Sequence, residues 1–441
     1  VYFGFFLPRP VGFFGGGWNE KSRLALTRAI VENGTIAIDI FEKGTGDKAY
    51  YNGHYYSDKA PGLSLFAVPV YAVIYGTERM FGSRRVDAID PPDVVNWWLI
   101  TLLAVSVPCA FGAVLFDRLC LGWTHSVEAS SFATLALILA TPYSFYASVF
   151  VGHGLAAAMA IAVVYLVFRT HRATARDLLF AGLLSGAAIA VEYPFALIAA
   201  VIAGYVVLKR RDLKGAAAFV AGTLPGLMML AFYLTAAFGS PFRTGYLLEA
   251  RPEFAEIHRA PLLGFSLPSA LAFLGITVSP FRGIFFFCPI LILGLFGLWT
   301  GWRKRLPEIP FGWLWAVVAG YPIVNAAYAV WDGGDLPLAR HSLLAVPFLT
   351  LGIALWGTGF HSAPARWLFL LSAFSVFTLR LNVYHSVAWL NPLFDLALPN
   401  LLSAYTLPTA GSFLKLPGIT SVIPHIAATV GILIFARRRL M

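Results

Sequence analysis

Eleven apolar runs decide what this chain can fold into. They lie near residues 94–117, 127–148, 152–168, 178–192, 194–208, 215–238, 283–301, 311–330, 339–358, 366–384 and 419–436. In a bilayer only helices or a closed barrel satisfy their own backbone hydrogen bonds, so the choice lies between those two. Barrel strands alternate apolar and polar residues, and stretches such as LAFYLTAAF and ILILGLFGLW do not alternate. With 12% charged residues and a mean hydropathy of +0.74, a soluble domain is excluded. The sequence predicts an all-α polytopic membrane protein.

Charge placement gives the orientation. If the spans alternate with residues 17–62 outside, the cytoplasmic segments are Arg118, RTHRATARD (169–177), KRRDLK (209–214), WRKR (302–305), Arg366 and the final ARRRL. These carry 15 of the 32 Lys and Arg residues, while the opposite face takes 17 of the 22 Asp and Glu residues, as the positive-inside rule requires. The net charge of +10 therefore reports topology, and nucleic acid is not an expected partner. The alternation works only if 61–80 and 262–277 lie along the outer face without crossing. VYFGFFLP at the start reads as the tail of another span, which makes about 11–12 crossings. The expected division is an outer-face loop with juxtamembrane helices over 1–93 and a helical bundle over 94–441, with no separate soluble domain. Cys109, Cys120 and Cys288 all fall in or beside apolar runs, and neither a disulfide framework nor a metal motif is visible.

The chemistry-bearing residues concentrate in the polar stretch 17–62, which holds six of the 22 acids. Asn19 is placed to cap a helix that stops at Asn33-Gly34. That helix reads as amphipathic, with Leu24, Ala25, Ile30 and Val31 opposite Arg23, Arg28 and Glu32, and suited to the interface plane. Glu20 either complements the helix dipole or serves as a general base on an acceptor hydroxyl. The later segment HYYSDKAPG (54–62) reads plainly as a polar turn before a helix. A lysine there, beside free backbone N–H groups, is also a good phosphate site. Asp58 then pairs with Lys59 or caps the helix.

An acidic residue opening the first outer loop, a helix, and an acid-Lys-x-Pro motif before an apolar stretch resemble the GT-C glycosyltransferases. The likeness is strongest to the protein O-mannosyltransferase type and the bacterial lipid A aminoarabinose transferases. It extends more weakly to SPFRGIFFFCP (279–289) and WDGGDLPLAR (331–340). The resemblance implies a GT-C-like bundle in the bacterial inner membrane, active on its outer or periplasmic face. It implies a polyprenyl-phosphate sugar as donor and a glycan, lipid or protein as acceptor. No cofactor or metal is required, and other membrane proteins are candidate partners. Glu20 matches the second acid of the family's Asp-Glu pair, Lys59 matches the phosphate-binding lysine, and Asn19 stands where the first acid is usual. With that departure, Glu20, Asp39 and Asp58 are the candidate catalytic carboxylates. Arg282, Arg340 and Arg243 are candidate phosphate ligands, against snorkelling or local ion pairing as the plain alternative. Asn19, His54, Tyr55 and Glu192 are candidate substrate contacts. His153 is more readily a hydrogen-bonded core histidine, and a site built from His153, His54 and Asp39 lacks ligand spacing. A lipid-linked sugar transporter or a catalytically silent subunit of a larger complex are the rival functions.

Overall fold

A computed structural model describes residues 17–81, 94–169, 173–259, 261–304, 306, 309–334, 336–357, 361–382, 391–407 and 409–440. Each of the eleven apolar runs contains a helix. The first, Val94–Thr101, continues through a π-helical turn at Leu102–Ser106 into Val107–Thr124. Over Val95–Thr124 it makes a 30-residue apolar rod, about 45 Å long and ample for a bilayer. Leu213–Phe238 meets the same test with 26 residues. The others are shorter, among them Val127–Leu139, Gly152–Phe168, Ala175–Val191, Leu291–Arg303, Phe311–Ala326, Val346–Trp356, Ala363–Asn382 and Ile423–Leu440.

The expected span 127–148 ends early. Its helix stops at Leu139, and Thr141 caps a separate short helix, Pro142–Tyr146, by accepting the Tyr143 N–H. The run at 283–301 is likewise split, into Ile284–Phe287 and Leu291–Arg303, because Pro289 cannot continue the first turn. The stretch 262–277 holds only one α-helix, Ala270–Thr277, about 12 Å long and too short to span. The expected remnant of a span over 1–14 lies outside the described residues.

Helix packing rests on small residues. Gly182 and Gly186 in Ala175–Val191 face Gly222 and Gly226 in Leu213–Phe238. A Cβ on Gly182 would sit 2.0 Å from the Phe219 carbonyl oxygen. The two backbones therefore touch, as membrane helices do where side chains stay out of the way.

The polar stretch is ordered more elaborately than its sequence suggests. Helix α1 (Trp18–Arg28) begins one residue before the expected cap. Gly17 is the N-cap, and Asn19 lies inside the first turn with its amide oxygen on Arg23 Nε at 2.9 Å. The helix runs on through a π-helical turn to Asn33 and stops at Gly34, whose φ of +67° favours glycine.

The amphipathic reading of α1 is corrected. Its polar face is buried along with its apolar one, and Arg23 and Arg28 find partners inside the protein. Arg28 donates to Glu32 at 2.8 Å and lies 4.4 Å over the Phe41 ring, and Tyr71 donates to the same Glu32.

Two short strands, β1 (Lys48–Tyr51) and β2 (His54–Ser57), form an antiparallel hairpin pairing Lys48 with Ser57 and Tyr51 with His54. This modifies the all-α expectation. Asn52 and Gly53 both have positive φ, the backbone of the tight hairpin turn that an Asn-Gly pair favours. Helix α2 (Gly62–Met80) follows.

Candidate active site

The hairpin and α2 share a four-residue junction, and that junction carries the site. Gly62 opens α2 where the chain presses on the end of the Ala175–Val191 helix. A Cβ there would lie 2.5 Å from the Ala190 carbonyl carbon and the Val191 nitrogen. With β2 fixed on one side and Gly62 on the other, Asp58 and Lys59 have little freedom. Lys59 Nζ donates to Asp47 at 2.9 Å and to Asp58 at 2.5 Å, and it lies 5.2 Å over the Tyr246 ring. Ser22 of α1 donates to Asp58 at 3.3 Å and bonds the Ser57 hydroxyl at 2.8 Å. Asp58 is 1% exposed and Lys59 9%.

Burial alone would lower the lysine's proton affinity. The two carboxylates, Asp47 ahead of Asp58, outweigh it and hold the ammonium well above its ordinary value. Asp47 is pushed upward by burial, against the pull of Lys59.

A third carboxyl arrives from the segment after the Leu213–Phe238 helix. Glu249 forms an antiparallel bridge with Ala49, and the neighbouring Ala250 N–H donates to the Lys48 carbonyl at 2.9 Å. The segment thus lies as a partial third strand on β1. Glu249 is buried, and burial followed by the Asp58 charge pushes its carboxyl far above the usual range.

On the other flank, Arg23 is 1% exposed and fully used. It donates to Asn19, to the Ala60 carbonyl at 2.9 Å and to Glu192 at 2.7 Å. Glu192, at the end of the Ala175–Val191 helix, also faces His153 at 3.7 Å. Arg23 therefore ties α1, the Lys59 junction and that helix together.

The segment WDGGDLPLAR delivers the remaining cation. Gly333 and Gly334 take positive φ, which turns the chain back, and Gly333 has Arg340 Cγ 2.9 Å from where a Cβ would stand. Arg282, fully buried, clamps this turn by donating to the Asp332 carbonyl at 3.0 Å and the Gly334 carbonyl at 2.5 Å. Tyr146 donates to the Pro337 carbonyl at 2.9 Å. Arg340 itself has no hydrogen bond or ion pair to any described residue, and its buried Nε is unpartnered. Lys59, and less strongly Arg340, lower the proton affinity of Asp47 against the effect of its burial.

The structure therefore gathers Asp58, Lys59 and Glu192 of the sequence candidates into one buried region, with Asn19 at its edge through Arg23, while the half-buried Arg340 bears on Asp47 by its charge. Arg282 serves that region from behind, as a clamp on main-chain carbonyls. Glu20 is buried, and its carboxylate accepts the Gly17 N–H at 3.1 Å, the cap function.

Asp39, His54 and Tyr55 stand elsewhere. Asp39 binds His54 Nδ1 at 2.7 Å and the Tyr55 N–H at 2.6 Å, on an exposed edge. His54 is at the turn end of the hairpin, four extended residues or about 13 Å of strand from Asp58. Arg243 is occupied by the Tyr51 hydroxyl and the Phe238 carbonyl, each at 3.2 Å, at the same turn end. Among the described residues, no group of three His, Cys, Asp or Glu side chains is placed to hold a metal ion.

Sequence reasoning passed over Arg23, Ser22, Asp47, Tyr246 and Glu249. The Asn19, Arg23, Thr27 spacing of four was a legible sign of a polar stripe along one face of α1. Thr27 and Ser64 indeed bond across that face, Thr27 to the Ser64 carbonyl at 3.1 Å and Ser64 to the Arg23 carbonyl at 2.8 Å.

No family model and no curated protein matches the chain. Solved structures do. ArnT from Cupriavidus metallidurans bound to undecaprenyl phosphate is 17% identical at a TM-score of 0.50, covering 99% of this chain and 70% of its own. The apo state of the same protein gives 17% and 0.48. An apo oligosaccharyltransferase from Archaeoglobus fulgidus gives 14% and 0.48, over 91% of this chain and 54% of its own. At such identities the likeness is one of fold. The chain is an all-α polytopic membrane protein with the GT-C architecture, to which the hairpin is a small addition.

Proposed function

We propose that this protein is a glycosyltransferase that moves a sugar from a polyprenyl-phosphate donor to an acceptor at the outer face of the bacterial inner membrane. One observation carries the reading: within a GT-C fold, the buried Lys59 at the start of α2 and Arg340, which has no hydrogen-bond or ion-pair partner among the described residues, both lower the proton affinity of Asp47. Two cations bearing on one carboxylate, one of them without an ion pair among the described residues, suit a phosphate. The donor's lipid tail would run along the apolar spans.

The acceptor oxygen attacks the anomeric carbon, and the bond from that carbon to the phosphate oxygen breaks. The polyprenyl phosphate leaves with the electron pair and inversion results. Lys59 and Arg340 hold the departing negative charge, the electrostatic contribution to which such sites owe most of their rate. Glu20 takes the acceptor's proton. Its carboxylate rests on the Gly17 N–H in this structure, so that bond has to yield for Glu20 to act as base. The acceptor class stays a glycan, lipid or protein, and no resident cofactor or metal enters this mechanism.

The engagement of Glu20 in the cap, with Asn19 bound to Arg23, favours one second reading: a silent GT-C-like subunit that keeps the fold without the chemistry. Purified protein incubated with a panel of polyprenyl-phosphate sugars separates the two. Transfer that is lost in Lys59→Ala and Glu20→Gln supports the enzyme. Absence of transfer from every donor supports the silent subunit, and transfer indifferent to both substitutions removes the site assignment.

A further inference from the structure

The mechanism makes no use of the segment between Arg259 and Arg282, in which no residue carries a charge. Its helix, Ala270–Thr277, has two faces with different company. Inward, Ala272 and Ile276 pack with Ala326, Ala339 and Trp331. Gly275 lies so close to that indole that a Cβ would stand 2.4 Å from the Trp331 ring. Outward, Leu271, Leu274 and Val278 recur at helical spacing and are exposed. Leu267, about one turn earlier, is 88% exposed.

The inward contacts end beside the site. Ala339 is the residue before Arg340, and Trp331 opens the turn whose Asp332 and Gly334 carbonyls Arg282 holds. The chain leading into the helix is sewn to the residues just before that turn. Ser266 N–H donates to the Ala327 carbonyl at 2.8 Å and Ser269 N–H to the Ala326 carbonyl at 2.9 Å. The Ala329 N–H donates back to the Gly264 carbonyl at 2.9 Å, and Phe265 bridges Tyr328. Residues 264–278 thus brace the turn that delivers Arg340.

We propose that the outward stripe is seated among the acyl chains of the membrane leaflet on the side of the site, and that this lipid seat holds the Arg340 turn in place. The surroundings name lipid as the occupant. The segment is bonded to the end of the membrane helix Phe311–Ala326, whose last turn exposes Ile323 and Val324, so the stripe continues a lipid-facing surface. It leads directly into the next apolar run, which opens at Gly283.

Nor does the segment offer hydroxyls to a polar partner. Ser266 donates to the Leu267 carbonyl, Ser269 accepts the Ala272 N–H, Thr277 donates to the Phe273 carbonyl, and Ser279 accepts the Phe281 N–H. All four hydroxyls of the segment are spent on its own backbone, as a hydrocarbon setting requires. A protein docking there would meet an apolar strip without the polar rim of such interfaces. In water, the exposed leucines would forfeit the gain that burial brings.

The seat and the brace do not depend on the glycosyl-transfer reading; only the effect on transfer does, so separate measurements keep the failures apart. The seat is read from nitroxide labels on Leu271→Cys and Leu274→Cys, the full chain being held in phosphatidylethanolamine–phosphatidylglycerol nanodiscs without donor. The three native cysteines are buried and leave the label site-specific. Relaxation by oxygen should exceed relaxation by a water-soluble nickel chelate. The reverse order overturns the proposal, and so does protection from both, the result expected under a second copy or another protein.

The brace is read by amide hydrogen exchange over 326–334 in the same nanodiscs. Leu271→Asp combined with Leu274→Asp unseats the helix, and exchange there should quicken about tenfold while Gly152–Phe168 keeps its wild-type rate. Unchanged exchange over 326–334 overturns the brace. Should the double variant not fold, Leu271→Ser with Leu274→Ser is measured by the same criterion.

Transfer with the best polyprenyl-phosphate sugar from the panel links the brace to Arg340. kcat/KM should fall about tenfold in the aspartate pair and stay within about twofold in Leu271→Phe with Leu274→Phe, which keeps an apolar seat. Equal rates in the two pairs overturn that link. If the wild type transfers from no donor, the enzymatic reading fails, and the label and exchange series still decide the seat and the brace.

Discussion

The two ends of the hairpin use the same residue types to opposite effect. At the turn end, Asp39, His54, Tyr55 and Arg243 pair off among themselves and with the nearby backbone, and side chains there are 41% exposed for Asp39 and 57% for His54. At the base, Asp58, Lys59 and Glu249 are packed out of water, Asp47 is half-buried against Lys59, and Arg340 has no hydrogen-bond or ion-pair partner among the described residues. Water screens the first group, so its charges do little beyond fastening an edge. In the second group each charge is felt in full, and the arrangement stays costly unless something is bound or protonated. Solvent, more than residue identity, separates a surface clasp from a candidate site.

The largest break in that contrast is Lys59→Ala. Removing the ammonium leaves the buried Asp58 and the half-buried Asp47 without their cation, which should cost about 3–5 kcal/mol of stability. Transfer should fall by a factor on the order of 10²–10³, the scale seen when a charge-stabilising donor is removed. A chemical denaturation series beside the donor-panel assay reads both quantities. A variant that unfolds like the wild type would show the lysine to be far less enclosed than its neighbours require.

Arg340→Ala sharpens the comparison by separating the two effects. No described residue pairs with Arg340, so its loss should change stability by no more than about 1 kcal/mol while transfer drops about 10²-fold. Equal losses of stability and transfer would mean that Arg340 props the fold. Next in size is Gly62→Ala, which tests the junction without touching a charge. Its Cβ collides with backbone at Ala190 and Val191, which cannot swing aside as a side chain can. The substitution should cost about 1–3 kcal/mol and displace Lys59, visible as a raised KM for the donor.

How much of this was legible beforehand follows the range of the interactions. Hydropathy marks the spans because each is a local run, and the basic loops mark their alternation. Gly34 as a helix stop is local too. The hairpin was equally local, since Asn52-Gly53 between tyrosine pairs is a strong turn signal, but the surrounding polar residues disguised it. Asp58 and Lys59 were found because the motif that carries them is contiguous. Arg23 and Glu192 lie 169 positions apart, and no pattern in either neighbourhood announces the other. Glu249 follows the same rule: only the fold brings it to β1. The amphipathic reading of α1 failed because periodicity locates a polar face without saying whether that face meets water or buried acceptors.

The smallest expected effect is at the turn end, where the comparison is most easily upset. Asp39→Asn keeps the oxygen that accepts the Tyr55 N–H and removes the charge facing His54. An exposed pair of this kind is worth about 0–1 kcal/mol, less at high salt. Transfer by Asp39→Asn, and likewise by His54→Ala, should therefore stay within about twofold of the wild type. The strand between the two ends is the reason, since about 13 Å of extended backbone in a screened setting passes on little of a lost charge. A loss of tenfold or more in Asp39→Asn, with unfolding unchanged, would bring the acid back among the catalytic carboxylates. The hairpin would then have to bend its turn end toward Lys59 when substrate binds, and the two regions contrasted here would be one site.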